Sequence, residues 1–246
     1  TKSYMISVAF LGGVLYTLQA SLYLSSVKYI SASLAVLCSY SYPIFVAILS
    51  SIFEKEKVTN NLIAAIIIAV LGLALVLEKS IKVSNIRGIL MALGTGVTYS
   101  IYIMVSNKTI KRASPIITAA FITLFTACSV LTIAISTHQL NINFAKSAWA
   151  PILGISFFST VVSMVAFLRG LELIGSTRAS ILSMVEPIIT FAFAAVLFHD
   201  RFSLTQWIGT ALVLAGALLV ITAKDKRLTQ RGGYQELADH LDAAHR

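Results

Sequence analysis

The sequence predicts an all-α polytopic membrane protein, and three observations lead to this fold class. Only 12% of the 246 residues are charged, whereas soluble domains carry about 25%. Hydrophobic residues make up 57% of the chain. Apolar windows recur, each close to the length of about 20 residues that spans a bilayer. The eight windows are 4–27 (segment A), 31–53 (B), 58–77 (C), 88–106 (D), 115–137 (E), 149–168 (F), 179–198 (G) and 204–223 (H).

Segment A is predicted to be a retained span. Its apolar stretch exceeds the core of about 7–15 residues in a signal peptide, and no small-residue cleavage pattern follows it. The chain therefore enters the membrane near its first residue.

Segments B and G each carry a proline inside the apolar stretch, at Pro43 and Pro187. A proline in a helix lacks the amide donor and crowds the carbonyl four residues back, which belongs here to Ser39 or Ser183. We expect a kink in both helices. Each kink is interpreted either as a packing feature or as part of a substrate path.

Segments C and H have no charge and few aromatic residues. Small residues in 65–72 are matched by small residues in 209–216, and such residues allow helices to approach closely. These segments are predicted to make packing contacts within the chain or to form a homodimer.

Glu186 in segment G is the only formally charged residue within the eight windows. A central acidic residue costs about 2.5–3.5 kcal/mol on membrane-insertion scales, a cost that is reduced when the residue faces a bundle interior or a wet cavity. A functional carboxylate in a cavity is the favoured interpretation. A protonated carboxyl that joins helices is the alternative.

Other polar residues share helical faces at a spacing of three or four residues, which predicts a cavity around this carboxylate. Serine and threonine also serve as ordinary contacts between helices, so packing is the alternative for each of them. The predicted substrate-binding residues are Tyr16 and Gln19 on A, Ser39 and Tyr42 on B, Tyr99 and Tyr102 on D, Ser163 on F, and Ser183, Glu186 and Thr190 on G.

The chain also repeats itself. A shift of 144 residues places Pro43 on Pro187 and Gly72 on Gly216, so that segments A to C recur as F to H. The shift covers five spans, an odd number, and the two copies are therefore inverted, as in many secondary transporters. Residues 1–80 are predicted to be the last three helices of one repeat and 86–224 the five helices of the other. Two helices are then expected before A, which makes ten in all.

The net charge of +9 comes from lysines and arginines in the short loops and in the tail, residues 225–246. If the tail is cytosolic, 13 lysines and arginines lie on the cytosolic side of the membrane and 6 lie on the other side. Without the residues from Lys224 onward, the cytosolic side has 8 and the other side has 6. This bias predicts a plasma-membrane protein with a cytosolic C-terminus. It also explains the basic character without nucleic acid as a partner, because the cations do not form one solvated face.

Two stretches carry a resemblance to a known family: YISASLAVLCSYSYPIFVAILSSIFEKEKVT (29–59) and STRASILSMVEPIITFAFAAVLFHDRFSLTQWIGTALVLAGALLV (176–220). The chain resembles the EamA-type family of the drug/metabolite transporter superfamily. The resemblance implies ten helices in two inverted repeats, cytosolic termini and alternating access. It also implies that the central cavity is lined mainly by segments A, B, D, F and G together with the family's first helix. This sequence departs from the family pattern in lacking the first two helices.

The predicted function is a secondary transporter, specifically an exporter of small metabolites such as amino acids or amphipathic drugs. No phosphate-binding loop of the GxxxxGK[ST] type occurs, and no cofactor or metal is predicted. Protons are the candidate coupling ion, with Glu186 as carrier and Tyr42 as its repeat-related opposite.

Two alternatives remain for the function: a membrane-embedded enzyme acting on lipid, or a non-transporting membrane subunit. Such an enzyme needs at least two cooperating acid, base, nucleophilic or metal-binding groups. The windows offer one carboxylate and no histidine, which favours transport.

Overall fold

The computed structural model describes residues 2–55, 58–77, 85–138, 140, 145–189, 193 and 203–222. Within these ranges all regular elements are helical. The α-helices are α1 (Lys2–Ala9), α2 (Thr17–Ser26), α3 (Ala32–Ser39), α4 (Tyr42–Phe53), α5 (Asn60–Leu77), α6 (Ile86–Thr109), α7 (Pro115–Ser136), α8 (Trp149–Ile155), α9 (Ser163–Ile174), α10 (Ser176–Leu182) and α11 (Leu204–Thr222). Two π-helical stretches, Phe10–Tyr16 and Ser156–Val162, join α1 to α2 and α8 to α9.

In the part of the chain that the structure describes, five continuous helical regions are long and apolar enough to cross a membrane, and two further apolar helices are shorter. The five are Lys2–Ser26, Leu34–Phe53, Ile86–Thr109, Pro115–Ser136 and Lys146–Ile174, and the two are Asn60–Val76 and Leu204–Val220. They correspond to segments A, B, D, E and F, and to C and H. The prediction of an all-α polytopic membrane protein is confirmed. The count of eight spans, the inverted repeat and the domain boundaries stay predictions, and the tail and Thr190 lie outside the described residues.

The two π-helical stretches fall in segments A and F, which the shift of 144 residues pairs. A π turn holds one more residue than an α turn and is frequent at functional sites. In segment A the carbonyl oxygen of Gly12 accepts hydrogen bonds from the hydroxyls of Thr17 and Thr126, with oxygen–oxygen distances of 2.9 Å and 3.0 Å. These bonds stabilise the widened turn directly before Tyr16.

Segment B is interrupted in front of its proline. Helix α3 ends at Ser39, a turn covers Tyr40 and Ser41, and α4 begins at Tyr42 with Pro43 in its first turn, where the missing amide hydrogen costs least. The Ser41 hydroxyl donates to the carbonyl of Cys38 at 2.6 Å. The side chains on either side of this turn therefore do not follow one regular helical face.

Segment G changes its winding at the corresponding place. Helix α10 ends at Leu182, Ser183–Val185 form a 3₁₀ turn, and residues 186–189 are again α-helical. The Ser183 hydroxyl donates to the carbonyl of Ala179 at 2.9 Å. The regular helix is thus disturbed just before Glu186 and Pro187.

Helices α5 and α11 pack closely against each other. A Cβ atom on Gly72 would lie 2.7 Å from the carbonyl oxygen of Gly209, and one on Gly209 would lie 2.5 Å from that of Gly72. Only glycine allows the two backbones to approach this far. The small residues of segments C and H therefore make contacts within the chain, while a homodimer stays a prediction.

Candidate functional site

A cavity of about 580 Å³ lies between the helices of segments A, B, D, F and G. Among the described residues that line it, tyrosine rings form much of the wall, and hydroxyl groups, one amide and one carboxylate supply the polar surface. The described residues that line it are Tyr16, Gln19, Tyr23, Ala32, Val36, Ser39, Tyr40, Tyr42, Thr95, Tyr99, Ser159, Ser163, Glu186 and Pro187. The residues from A, B and D lie from the middle of each span toward the end of the bundle that carries residues 27–31 and 85.

The structure brings seven of the ten predicted substrate-binding residues to this cavity, together with Pro187 of the two predicted kink positions. These seven are Tyr16, Gln19, Ser39, Tyr42, Tyr99, Ser163 and Glu186. Tyr102 and Ser183 do not line the cavity, and Thr190 lies outside the described residues. For all ten residues, a role in substrate binding stays a prediction.

Glu186 is exposed at the cavity wall, whereas Pro187 beside it is buried. The hydroxyl of Tyr40 donates to its Oε2 atom at 3.2 Å. Tyr42, expected opposite this carboxylate, donates instead to the backbone carbonyl of Ser180 at 3.1 Å and is only 4% exposed. The turn at residues 40–41 explains why Tyr40, which the spacing rule did not select, reaches the carboxylate.

Aromatic rings beside the cavity contact one another in a continuous series. The rings of Tyr42 and Tyr99 meet edge to face, with centroids 4.8 Å apart, and Tyr99 stacks on Tyr102 at 5.7 Å. Tyr102 also contacts Tyr16 at 5.8 Å and is 2% exposed. Tyr102 is therefore buried next to the cavity and is not among the described residues that line it, and its predicted role in substrate binding stays a prediction.

The position of Ser183 also differs from the expectation. Its hydroxyl bonds back to Ala179 in the preceding turn, next to the 3₁₀ stretch, and the residue is half-buried. Ser183 is not among the described residues that line the cavity.

Besides Tyr40, five described residues that line the cavity are among neither the predicted substrate-binding residues nor the predicted kink positions. Tyr23 and Thr95 continue the faces of Gln19 and Tyr99, so the helical period indicates them. Ala32 and Val36 carry no polar signal. Ser159 lies inside the π-helical stretch of segment F, where a regular period does not apply.

A second carboxylate, Glu54, lies at the opposite end of the bundle. Its Oε1 accepts the Asn107 side-chain amide at 2.7 Å, and its Oε2 accepts the hydroxyls of Ser50 at 3.1 Å and Ser176 at 3.3 Å. This group, called here the Glu54 cluster, joins α4, α6 and α10. The helical rise from Ser176 to Glu186 places it about 15 Å from the cavity carboxylate. The sequence did not single out Glu54, because the run EKEK is typical of a solvated loop.

Comparison with known proteins identifies a family. The model of the EamA-like transporter family matches residues 1–78 and 86–222, which is most of the chain.

Individual relatives have transporter names. The chain is 24% identical to the uncharacterized transporter YwfM of Bacillus subtilis, over 95% of this chain and 79% of that protein. It is 29% identical to an uncharacterized transporter of Archaeoglobus fulgidus, over 78% of this chain and 69% of that protein. A solved crystal structure is similar with a TM-score of 0.75 and 20% identity, over 92% of this chain and 80% of that one. This last likeness concerns the fold.

Proposed function

The chain belongs to the EamA-like transporter family and is a membrane transporter, and we propose that it exports small molecules by alternating access through the Glu186 cavity. One observation carries this proposal. A carboxylate placed well inside an apolar helix is exposed to a cavity instead of being sealed among hydrocarbon side chains. Such a group is costly in lipid unless it faces a hydrated space.

The contrast between the two ends of the bundle supports alternating access. The cavity residues of segments A, B and D lie from the middle of their spans toward one end, whereas the Glu54 cluster joins three helices toward the other. Alternating access requires the cavity to close at the first end and to open at the second. The bias of the loop charges favours a cytosolic Glu54 end, and in that orientation the cavity of this conformation would face outward in the plasma membrane.

The coupling ion in this proposal is the proton, with Glu186 as its carrier. Among the described residues that line the cavity it is the only one with a formal charge. Substrate and proton would then both bind at the Glu186 carboxylate. Ten helices in two inverted repeats complete this proposal, because they give a site near the bilayer midplane where the repeats meet.

Proteoliposomes with an imposed pH gradient test the proposal. We expect accumulation of a labelled small molecule from a panel of amino acids and amphipathic amines, and we expect Glu186→Gln to abolish the pH-driven part. Counterflow of saturating substrate should persist in that variant and return the substrate chemically unchanged.

Glu172→Gln is the matched control, because this exposed carboxylate lies outside the cavity in α9, where it pairs with Arg169. It should behave as the wild type. Normal pH-driven accumulation by Glu186→Gln would reject the proton-carrier role, and chemical conversion of the substrate would favour the enzyme alternative.

A further inference from the structure

The charge of the cavity restricts what it can hold. Among its described lining residues, Glu186 is the single carboxylate, and there is no lysine, arginine or histidine. Its remaining polar groups are hydroxyls and the amide of Gln19. Electrostatic interactions strengthen as the surroundings become less polar than water. An ionised carboxylate here attracts a cation and opposes an anion.

Tyrosine rings form much of the remaining wall. Five of its described lining residues are tyrosines: Tyr16, Tyr23, Tyr40, Tyr42 and Tyr99. Tyr40 and Tyr42 donate their hydroxyl hydrogens to other protein groups, so these hydroxyls have no hydrogen left to donate to an anionic ligand. The faces of such rings attract ammonium groups, by about 0.5–2 kcal/mol for each good contact.

The arrangement of these groups is supported by contacts within the protein. The Tyr40 hydroxyl donates to the Glu186 carboxylate at 3.2 Å and helps to orient it. The edge-to-face contact between Tyr42 and Tyr99 holds both rings in place. A ligand therefore meets groups that are already positioned, which lowers the entropic cost of binding.

We propose that the cavity binds a monovalent organic cation with an apolar or aromatic body. This inference rests on the proposed transport function, since it names the substrate class of the same site. A volume of about 580 Å³ suits a small organic molecule. An amino acid fits less well, because its carboxylate would enter a site that carries a negative charge and has no cationic partner for it among the described lining residues.

Four probes with one aromatic body test this class: benzyltrimethylammonium (cation), N-benzylacetamide (neutral), phenylalanine (zwitterion) and phenylacetate (anion). Equilibrium dialysis of the purified 246-residue chain in nonionic detergent measures their dissociation constants. We expect the cation to bind at least about tenfold more tightly than the other three. Equal affinities, or tighter binding of phenylalanine, would overturn the inference.

Substitutions of Glu186 test whether this carboxylate causes the preference for a cation. Glu186→Gln should weaken binding of benzyltrimethylammonium about tenfold and remove its advantage over N-benzylacetamide, while Glu186→Asp, which keeps the charge, should retain the advantage. Glu172→Gln should match the wild type. Circular dichroism confirms that each variant is folded. An unchanged affinity in folded Glu186→Gln would reject the carboxylate as the recognition element.

Counterflow in proteoliposomes separates this inference from the proposed function. If phenylalanine exchanges and benzyltrimethylammonium does not bind, transport stands and the cation class is wrong. If benzyltrimethylammonium binds with the expected preference and no probe exchanges, the site stands and the transport proposal is wrong.

Discussion

Two carboxylates, Glu186 and Glu54, occupy opposite situations in one helical bundle. Glu54 accepts three side-chain hydrogen bonds from neutral donors on three helices. Glu186 is exposed to a cavity and is oriented by a tyrosine hydroxyl. A carboxylate surrounded by donors stabilises the packing of helices, whereas one that faces a hydrated space is accessible to a ligand or a proton. The same chemical group thus joins helices at one site and faces a cavity at the other.

The largest expected difference between the two sites is their access to water. In a chain with Cys38→Ala and Cys128→Ala, Gln19→Cys at the cavity should react with a charged maleimide at least about tenfold faster than Ser176→Cys in the Glu54 cluster. Ser176 is fully buried, and reaction there requires a local opening. Mass spectrometry of timed samples measures the two rates.

Labelling the same cysteine variants with the charged maleimide in intact cells and in inverted vesicles determines the orientation of the chain in the membrane. Faster reaction of Gln19→Cys from outside the cell is expected if the Glu54 end is cytosolic. Equal rates for the two positions in detergent would show that the Glu54 end is as open as the cavity, and the contrast would be lost.

The next largest effect concerns stability. Glu54→Ala should lower the free energy of unfolding by about 1–3 kcal/mol, because it leaves the buried Asn107 amide without its partner. Glu186→Ala should cost less than about 1 kcal/mol, since an exposed side chain is removed. Denaturant titrations in detergent, followed by circular dichroism, compare the variants. An equal loss in both would mean that Glu186 also has a structural role.

The smallest effects concern the longer hydrogen bonds at each end. Ser176→Ala should reduce stability by about 0.5–1 kcal/mol, because Glu54 keeps its bonds to Ser50 and Asn107. Tyr40→Phe should leave stability within about 0.5 kcal/mol and weaken benzyltrimethylammonium binding less than about threefold. The same titrations and dialysis measure both. A larger change in binding than in stability for Ser176→Ala would connect the Glu54 cluster to the cavity.

Much of the fold and part of the site could be predicted from residue spacing. The polar faces of Gln19 with Tyr23 and of Thr95 with Tyr99 follow the period of a regular helix, and all four residues line the cavity. The prediction is less accurate where the backbone leaves that period. Tyr40 lies in the turn before Pro43, and Ser159 lies in a π-helical stretch, so the rotation per residue changes and a face computed from spacing no longer applies.

The sequence by itself determined the membrane class, most of the helical regions and the position of one acid deep in an apolar stretch, because hydrophobicity and length act locally along the chain. Only the tertiary structure decided that Tyr40 orients Glu186, that Tyr102 lies behind the wall and that Glu54 joins three helices. These outcomes depend on which faces of distant helices meet. That choice is made by packing and by the need to pair buried polar groups, and neither is encoded in the spacing within a single segment.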